Sequence, residues 1–196
     1  MRARVARRRF CPLALLTAMA LLAGLPMATQ ATPADTTLAT ALQHQPRVGT
    51  ARLRYWGFDV YDASLYAAPG FDILRFQEQG FGLELHYLRS FKGADIAERS
   101  IQEMKGLATI SPAQAQRWQS TMAALFPDVE KGDRITGLHL PGRGARFYLN
   151  GALLGDIADD PFSRLFFGIW LSPGTSQPRM RDALIQSVGA GAPRAP

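Results

Sequence analysis

The chain has 196 residues, of which 47% are apolar and 19% are charged, and its formal net charge is +6. This composition excludes a collagen-like or low-complexity chain and is typical of a folded globular domain. Five of its 22 basic residues precede residue 10, and no acidic residue occurs before Asp35, so the remaining chain carries 17 basic against 16 acidic side chains. The basic charge therefore belongs to the amino terminus and does not indicate nucleic-acid binding.

The amino terminus has the pattern of a secretory signal peptide. An arginine-rich start is followed by an apolar run over residues 12–25 and then by small residues up to Ala31. We predict a signal peptide over residues 1–31 that is cleaved on export, and hence a periplasmic or secreted protein. The apolar run is shorter than the roughly 20 residues that span a bilayer, so no transmembrane segment is expected in the mature chain. An uncleaved membrane anchor is the alternative, and the export route is left open.

Periodic apolar residues divide the next part of the chain into strands and helices. Residues 32–48 are predicted to be a flexible lead-in. Aromatic and β-branched residues over 52–66 indicate a bent strand or two strands that meet near Gly57. Strict alternation over 81–87 predicts a further strand.

Two helices are predicted in the middle of the chain. Over residues 93–107, apolar side chains recur three or four positions apart and form one stripe. The second helix begins at Pro112, which fits the first helical position, and Ser111 before it is a typical N-cap.

The second half of the chain is predicted to be an antiparallel meander followed by helices. Strands are expected over 134–140, 145–149 and 152–157, with Asn150-Gly151 as a two-residue hairpin turn. Later helices begin at Asp159-Asp160-Pro161 and at Ser176-Gln177-Pro178, and residues 189–196 form a disordered tail. This order indicates an α+β fold with antiparallel pairing, in one domain over residues 49–188.

The sequence contains no pattern of a metal or cofactor site. Its three histidines, His44, His86 and His139, lie on separate predicted segments, and no phosphate-binding loop or dinucleotide fingerprint occurs. Cys11 is the only cysteine and lies in the predicted leader, so the mature chain has no disulfide and no cysteine nucleophile. We predict no cofactor, no bound metal and no nucleic-acid partner.

Residues 52–66 combine two arginines with several aromatic rings. Arg52 and Arg54 are two positions apart and therefore share one face of a strand. If that face lines a cleft, a guanidinium and a tyrosine hydroxyl would hold a carboxylate by charge-assisted hydrogen bonds, and apolar walls would take a hydrocarbon. The alternative is that both arginines form surface ion pairs with Asp59 or Asp62, and that the neighbouring aromatic rings belong to the core.

Six short motifs occur in a specific order over residues 49–186. They are GTAR at 49–52, WGFDVYDA at 56–63, LELHY at 83–87, FPDV at 126–129 with Gly132-Asp133, FYLNG at 147–151 and FGIWLSP at 167–173. In the order and spacing of these motifs, the chain resembles the bacterial exported branch of the chalcone isomerase-like family. The resemblance implies an open-faced antiparallel β-sandwich, with helices packed on one face of a large sheet and a ligand cleft between the helices and the sheet.

The resemblance also gives an expectation for activity. In the plant isomerases, an Arg and a Thr on early strands, a Tyr and an Asn on the first long helix and a late Ser or Thr orient the chalcone. Arg52, or else Arg54, stands at the Arg position and Tyr61 at the Thr position. Ile96 and Glu103 replace the helix Tyr and Asn. Since losing one positioned donor commonly costs about a hundredfold in rate, we predict no chalcone isomerase activity.

Members of the wider family that bind fatty acids pair an Arg with a Tyr at this place, and Arg52 with Tyr61 would reproduce that pair. The resemblance thus implies an exported protein whose partner is a fatty acid or a similar small amphipathic carboxylate. The candidate ligand-binding residues are Arg52, Tyr61, Arg54, Trp56, Tyr66, Tyr87, Ile96 and Glu103, with Phe58 and Trp170 as further candidate walls.

Two other functions stay open at this point. One is an isomerase or lyase that acts on a different substrate in the same cleft, with Arg52 stabilising an anion and Tyr61 or Glu103 transferring a proton. The other is a scaffold protein whose cleft is filled by its own side chains. The oligomeric state is not predicted.

Overall fold

The computed structural model describes residues 37–188. The strands are β1 (Arg47–Tyr55), β2 (Phe58–Ala67), β3 (Phe81–Tyr87), β4 (Arg134–Leu140), β5 (Gly144–Leu149) and β6 (Ala152–Ile157). The α-helices are α1 (Leu38–Ala41), α2 (Gly93–Leu107), α3 (Pro112–Leu125), α4 (Asp160–Leu171) and α5 (Pro178–Leu184), and a 3₁₀ helix spans Ile73–Glu78. The predicted signal peptide and disordered tail lie outside the described residues.

The six strands form one sheet in the order β1-β2-β3-β4-β5-β6, and each strand is antiparallel to its neighbours. The 3₁₀ helix lies between β2 and β3, and α2 and α3 are inserted between β3 and β4, whereas short turns join the other neighbouring strands. The predicted α+β fold with helices on a large antiparallel sheet is therefore confirmed. The helix predicted over 93–107 and the N-cap at Ser111 are also found.

The core lies on one face of the sheet. Because side chains alternate along a strand, Ala63, Leu65 and Ala67 of β2 all point to this face and are fully buried. Helix α4 packs against β4 and β5, and α2 packs against α4 and α3. The rings of Phe81 on β3 and Phe167 on α4 meet edge to face, with centroids 5.1 Å apart.

Residues 52–66 form a hairpin. Trp56 and Gly57 connect β1 to β2 with φ angles of 51° and 80°, so both central turn residues are left-handed. The segment 32–48, expected to be a flexible lead-in, contains α1 and the start of β1 at Arg47. The Leu42 side chain of this segment packs so closely on Gly82 of β3 that a Cβ added to Gly82 would lie 2.7 Å from it. Part of the segment therefore packs on the face of the sheet opposite to the core.

The start of α2 is fixed by a close backbone approach at Gly93. The Asp128 carboxylate accepts hydrogen bonds from the Gly93 amide at 3.0 Å and from the Lys92 ammonium at 2.6 Å. A Cβ added to Gly93 would lie 2.0 Å from the carbonyl oxygen of Phe126, so no side chain fits. The segment after α3 is thereby docked on the first turn of α2.

Within residues 37–188, no helix is both long and apolar enough to cross a bilayer. No group of three or more His, Cys, Asp or Glu side chains in that range is placed to hold a metal ion.

His139 on β4 is buried and fully hydrogen-bonded. Its Nδ1 lies 2.7 Å from the Ser163 hydroxyl, and its Nε2 lies 3.0 Å from the Gln77 carbonyl oxygen. Because a carbonyl only accepts, Nε2 carries the proton and Nδ1 accepts from the serine. Burial lowers the pKa of His139, so the neutral ring is the form that the fold stabilises.

We expect the free energy of unfolding to decrease as the pH is lowered below about 6.5. The unfolded chain protonates this ring near pH 6.5, whereas the folded chain protonates it only at lower pH, so the unfolded state binds more protons in between. The contribution of His139 is complete above that pH, and its slope cannot exceed about 1.4 kcal/mol per pH unit. Urea unfolding across this range measures it. His139→Phe should be less stable at neutral pH and lack this slope, and an equal slope in the variant would contradict the assignment.

Candidate functional site

A cavity of about 380 Å³ lies between the sheet and helices α2 and α4. Most of its wall is hydrocarbon or aromatic ring. The apolar walls include Leu53, Leu85, Ile96, Phe126, Ile135 and Phe166. These side chains come from β1, β3, β4, α2, α4 and the residue that ends α3. A cavity of this size and lining suits the hydrocarbon part of a small molecule.

Charged groups reach the cavity from helix α2. Asp95, Arg99 and Glu103 are four residues apart, so they form one stripe along the helix. Arg99 donates a hydrogen bond to Glu103, which also accepts one from the Ser176 hydroxyl at 2.7 Å. The Arg99 side chain is 59% exposed and that of Glu103 is 16% exposed. The stripe therefore lies at the rim, and Arg99 is the one basic residue of 37–188 that lines the cavity.

Two phenols, of the half-buried Tyr61 and the buried Tyr87, add neutral polar groups to the wall. The Trp170 indole donates to the Tyr61 hydroxyl at 3.0 Å, which leaves the Tyr61 proton available to another acceptor. The Tyr87 side chain is 3% exposed, and its hydroxyl has no hydrogen-bond partner within residues 37–188. Burial raises the pKa of both phenols, so both are neutral hydrogen-bond donors at physiological pH.

The Tyr87 hydroxyl is not one of the fully enclosed, unpartnered side-chain atoms of residues 37–188, so an atom inside the cavity can reach it. The Tyr61 and Tyr87 rings contact each other edge to face, with centroids 6.1 Å apart. The charges of Glu103 and Arg99 act on the Tyr61 hydroxyl, so the polar groups share one region of the cavity. The cavity thus has a polar region near the rim and an apolar remainder.

The structure brings five of the predicted residues together at this cavity. They are Tyr61, Tyr87, Ile96, Glu103 and Trp170. Arg99 was missed from the sequence, although its spacing from Ile96 and Glu103 places it on the same side of α2.

The prediction that Arg52 and Arg54 point into the cleft is wrong. Strand alternation directs Leu53 between them to the cavity and sends both guanidinium groups to the other face. Arg52 donates to Asp62 at 2.7 Å and to Asp59 at 2.9 Å, and Arg54 donates to Asp59 at 2.6 Å. The surface ion pairs of the alternative interpretation are therefore the ones that form. The hydrogen bonds to Asp62 raise the pKa of Arg52, and those from Arg52 lower the pKa of Asp62.

The aromatic residues around Arg52 are also outside the cavity. Trp56 lies in the hairpin turn and is 85% exposed, and Phe58 is exposed beside it. Tyr66 lies on the face of β2 opposite to the core, paired with Gly82. None of the three lines the cavity, so the structure does not bring them together with the other predicted residues.

Comparison with known proteins gives a family match, a similar sequence and a similar structure. A family profile described as chalcone isomerase-like matches residues 28–186. An uncharacterized protein of Haemophilus influenzae is 29% identical over 147 residues, which covers 75% of this chain and 71% of that protein. The crystal structure of an Arabidopsis thaliana fatty-acid binding protein superposes with a TM-score of 0.57 at 10% identity, over 72% of this chain and 87% of that one. At this identity the structural likeness shows the fold alone.

Proposed function

The chain belongs to the chalcone isomerase-like family, and we propose that it is a non-catalytic member that binds a fatty acid or a similar amphipathic carboxylate. The observation that carries the proposal is the apolar cavity with the unpartnered hydroxyl of Tyr87 in its wall. The superposed Arabidopsis protein is named as a fatty-acid binding protein, and its ligand class is consistent with this cavity.

The hydrocarbon tail accounts for most of the expected affinity. Each methylene group that leaves water for an apolar wall contributes about 0.8 kcal/mol, or about fourfold in the dissociation constant. The side chains of Leu85, Phe126 and Ile135 provide such walls away from the charged stripe of α2. We place the tail among these side chains.

The carboxylate of the ligand is placed at the rim. Arg99 uses one of its five N–H donors on Glu103, so donors remain for a second carboxylate. The hydroxyls of Tyr61 and Tyr87 are further donors nearby. Because Asp95 and Glu103 are acidic, the attraction at the rim is modest and the headgroup mainly orients the ligand.

Several features of the cavity favour binding without conversion. Ile96 offers no proton or hydroxyl at the position where the plant isomerases have Tyr. Glu103 accepts hydrogen bonds from Arg99 and Ser176 and so serves as an acceptor at the place of an amide donor. Burial raises the pKa of Tyr61, which makes its phenol a poor acid. Cyclisation of a chalcone above background by the purified protein would refute this part.

We also propose that the protein is exported and acts in the periplasm, because residues 1–31 carry the signal-peptide pattern. Amino-terminal sequencing of protein recovered from the periplasmic fraction tests this, with a mature start near residue 32 as the expected result.

The headgroup placement is tested by Arg99→Ala. We expect fatty-acid affinity to fall by about fivefold or more, because a rim ion pair is lost and Glu103 is left to repel the ligand. The fatty alcohol of the same chain length should bind Arg99→Ala and wild type equally. Competition with a fluorescent fatty acid measures both affinities.

Arg52→Ala is the matched control for Arg99→Ala. It removes a guanidinium from the opposite face of the sheet and should leave acid affinity within about twofold of wild type. A loss in Arg52→Ala with none in Arg99→Ala would reverse our assignment of the headgroup site.

A further inference from the structure

The tip of the β1–β2 hairpin is an exposed aromatic patch. Within residues 37–188, five large hydrophobic side chains are exposed, and Tyr55, Trp56 and Phe58 are three of them. All three lie within four consecutive residues. A soluble surface seldom gathers large apolar side chains in this way unless the patch meets another surface.

The backbone conformation of Trp56 in the turn lowers the stability of the fold. Its φ of 51° is a left-handed conformation, and the first central position of this turn type favours Asn, Asp or Gly. A bulky side chain in that conformation costs about 1 kcal/mol or more. Its indole is 85% exposed, and no stabilising contact in the core compensates for the strain.

The patch adjoins the opening of the cavity. Tyr55 is exposed at the tip and also lines the cavity, together with Leu53 and Val60 of the same hairpin. Leu53 pairs with Tyr61, and the next residue, Arg54, pairs with Asp59. Val60 is therefore an extra residue in β2, a β-bulge that bends the hairpin beside the cavity. Apolar surface is therefore continuous from the tip into the cavity.

Cations flank the aromatic rings. The Arg89 guanidinium lies 4.8 Å from the centroid of the Phe58 ring and has no carboxylate partner within residues 37–188. Arg54 is exposed on the same hairpin, with its Nε bonded to Asp59. Tryptophan and tyrosine next to basic side chains are typical of segments that sit at the headgroup level of a bilayer.

We propose that this hairpin tip docks on the surface of a bilayer that contains anionic phospholipid, so that an amphipathic ligand passes between membrane and cavity. The proposal rests on the proposed function. A second copy of the chain is a weaker candidate, because the three side chains offer roughly 400 Å², about half of what one partner of a stable interface buries. Insertion into the headgroup region requires no matching protein surface.

The experiment uses vesicles of equal parts phosphatidylglycerol and phosphatidylcholine, and compares wild type with Trp56→Asn. Asparagine suits the left-handed turn, so the variant should fold at least as stably as wild type. We expect co-sedimentation to fall by about tenfold or more in Trp56→Asn. Leu74→Ser, which removes an exposed apolar side chain elsewhere, should co-sediment like wild type. Arg89→Ala should reduce binding to these vesicles more than to vesicles of phosphatidylcholine alone.

Fluorescence gives a second readout, because the other two tryptophans, Trp118 and Trp170, are buried. Vesicles should shift the wild-type emission to the blue and leave Trp56→Asn unchanged. Equal co-sedimentation of wild type and Trp56→Asn, or no binding by wild type, would overturn the docking proposal. A dimer that forms without lipid and is lost in Trp56→Asn would overturn it in favour of a second copy.

Fatty-acid binding in vesicle-free solution separates the two proposals. Trp56→Asn should keep wild-type fatty-acid affinity, because Trp56 lies outside the cavity. If wild type bound vesicles and no fatty acid, the proposed function would fail and the docking surface would stand. If wild type bound fatty acid and no vesicles, only the docking proposal would fail.

Discussion

Replacement of Ile96 by tryptophan is expected to lower fatty-acid affinity by about a hundredfold or more. Ile96 lies on α2 and lines the cavity beside the charged rim, so a larger side chain there narrows the passage between the rim and the apolar space assigned to the tail. Excluding about four methylene groups from an apolar wall costs about 3 kcal/mol. Titration of a fluorescent fatty acid measures the loss.

Glu98→Trp is the matched control on the same helix. Glu98 is exposed and does not line the cavity, so the same indole there adds bulk in solvent only. The control should bind like wild type, and both variants should unfold near the wild-type temperature. Wild-type affinity in Ile96→Trp would show that the ligand does not occupy this cavity.

Replacement of Gly93 by alanine is expected to destabilise the fold by about 3 kcal/mol. The new Cβ would meet the Phe126 carbonyl oxygen at 2.0 Å, and backbone cannot move aside as the end of a side chain can. The first turn of α2 must then shift away from Asp128, whose hydrogen bond to the Gly93 amide would weaken. Because α2 carries Arg99, we also expect weaker fatty-acid binding. Chemical denaturation gives the change in unfolding free energy.

Gly106→Ala provides the comparison within α2. A Cβ at Gly106 has open space around it, and alanine is favoured over glycine in a helix by up to about 1 kcal/mol. The variant should be as stable as wild type or slightly more stable. If Gly93→Ala and Gly106→Ala were equally stable, the close approach at the start of α2 would not constrain the fold.

Local patterns in the sequence predict the elements well, because those patterns act within a few residues. The stripe over 93–107, the Ser111 cap and the Asn150-Gly151 turn each give the structure that they predict. For residues 52–66 the sequence leaves a bent strand and two meeting strands both open, since tryptophan is an unusual residue for the left-handed turn that joins the two strands.

The candidate site is predicted less well, because alternation does not say which face of a strand meets the helices. Leu53 and its neighbour Arg54 sit on opposite faces of β1, and only the packed fold directs Leu53 to the cavity. A resemblance in sequence assigned Arg52 to the cleft, whereas Asp59 and Asp62 hold it on the surface. Arg99 could have been found, because its helix face was already defined by Ile96.

The scaffold protein and the enzyme, which are the two alternative functions, each require a different kind of cavity. A scaffold protein with a filled cleft is not supported, because a cavity of about 380 Å³ remains between the sheet and the helices. An enzyme would need a residue able to exchange a proton in that cavity. Of the two residues that the sequence offers for this role, Tyr61 is a weaker acid because burial raises its pKa, and both carboxylate oxygens of Glu103 accept hydrogen bonds, from Arg99 and Ser176. Binding is the function that these groups support best.

Native mass spectrometry of the protein purified from the periplasmic fraction, followed by lipid extraction, tests the central claim most directly. We predict a complex with one fatty acid per chain, released on denaturation and absent from Ile96→Trp prepared in the same way. Ligand-free protein in every preparation, together with no uptake of added fatty acid, would contradict the claim that this cavity binds an amphipathic carboxylate.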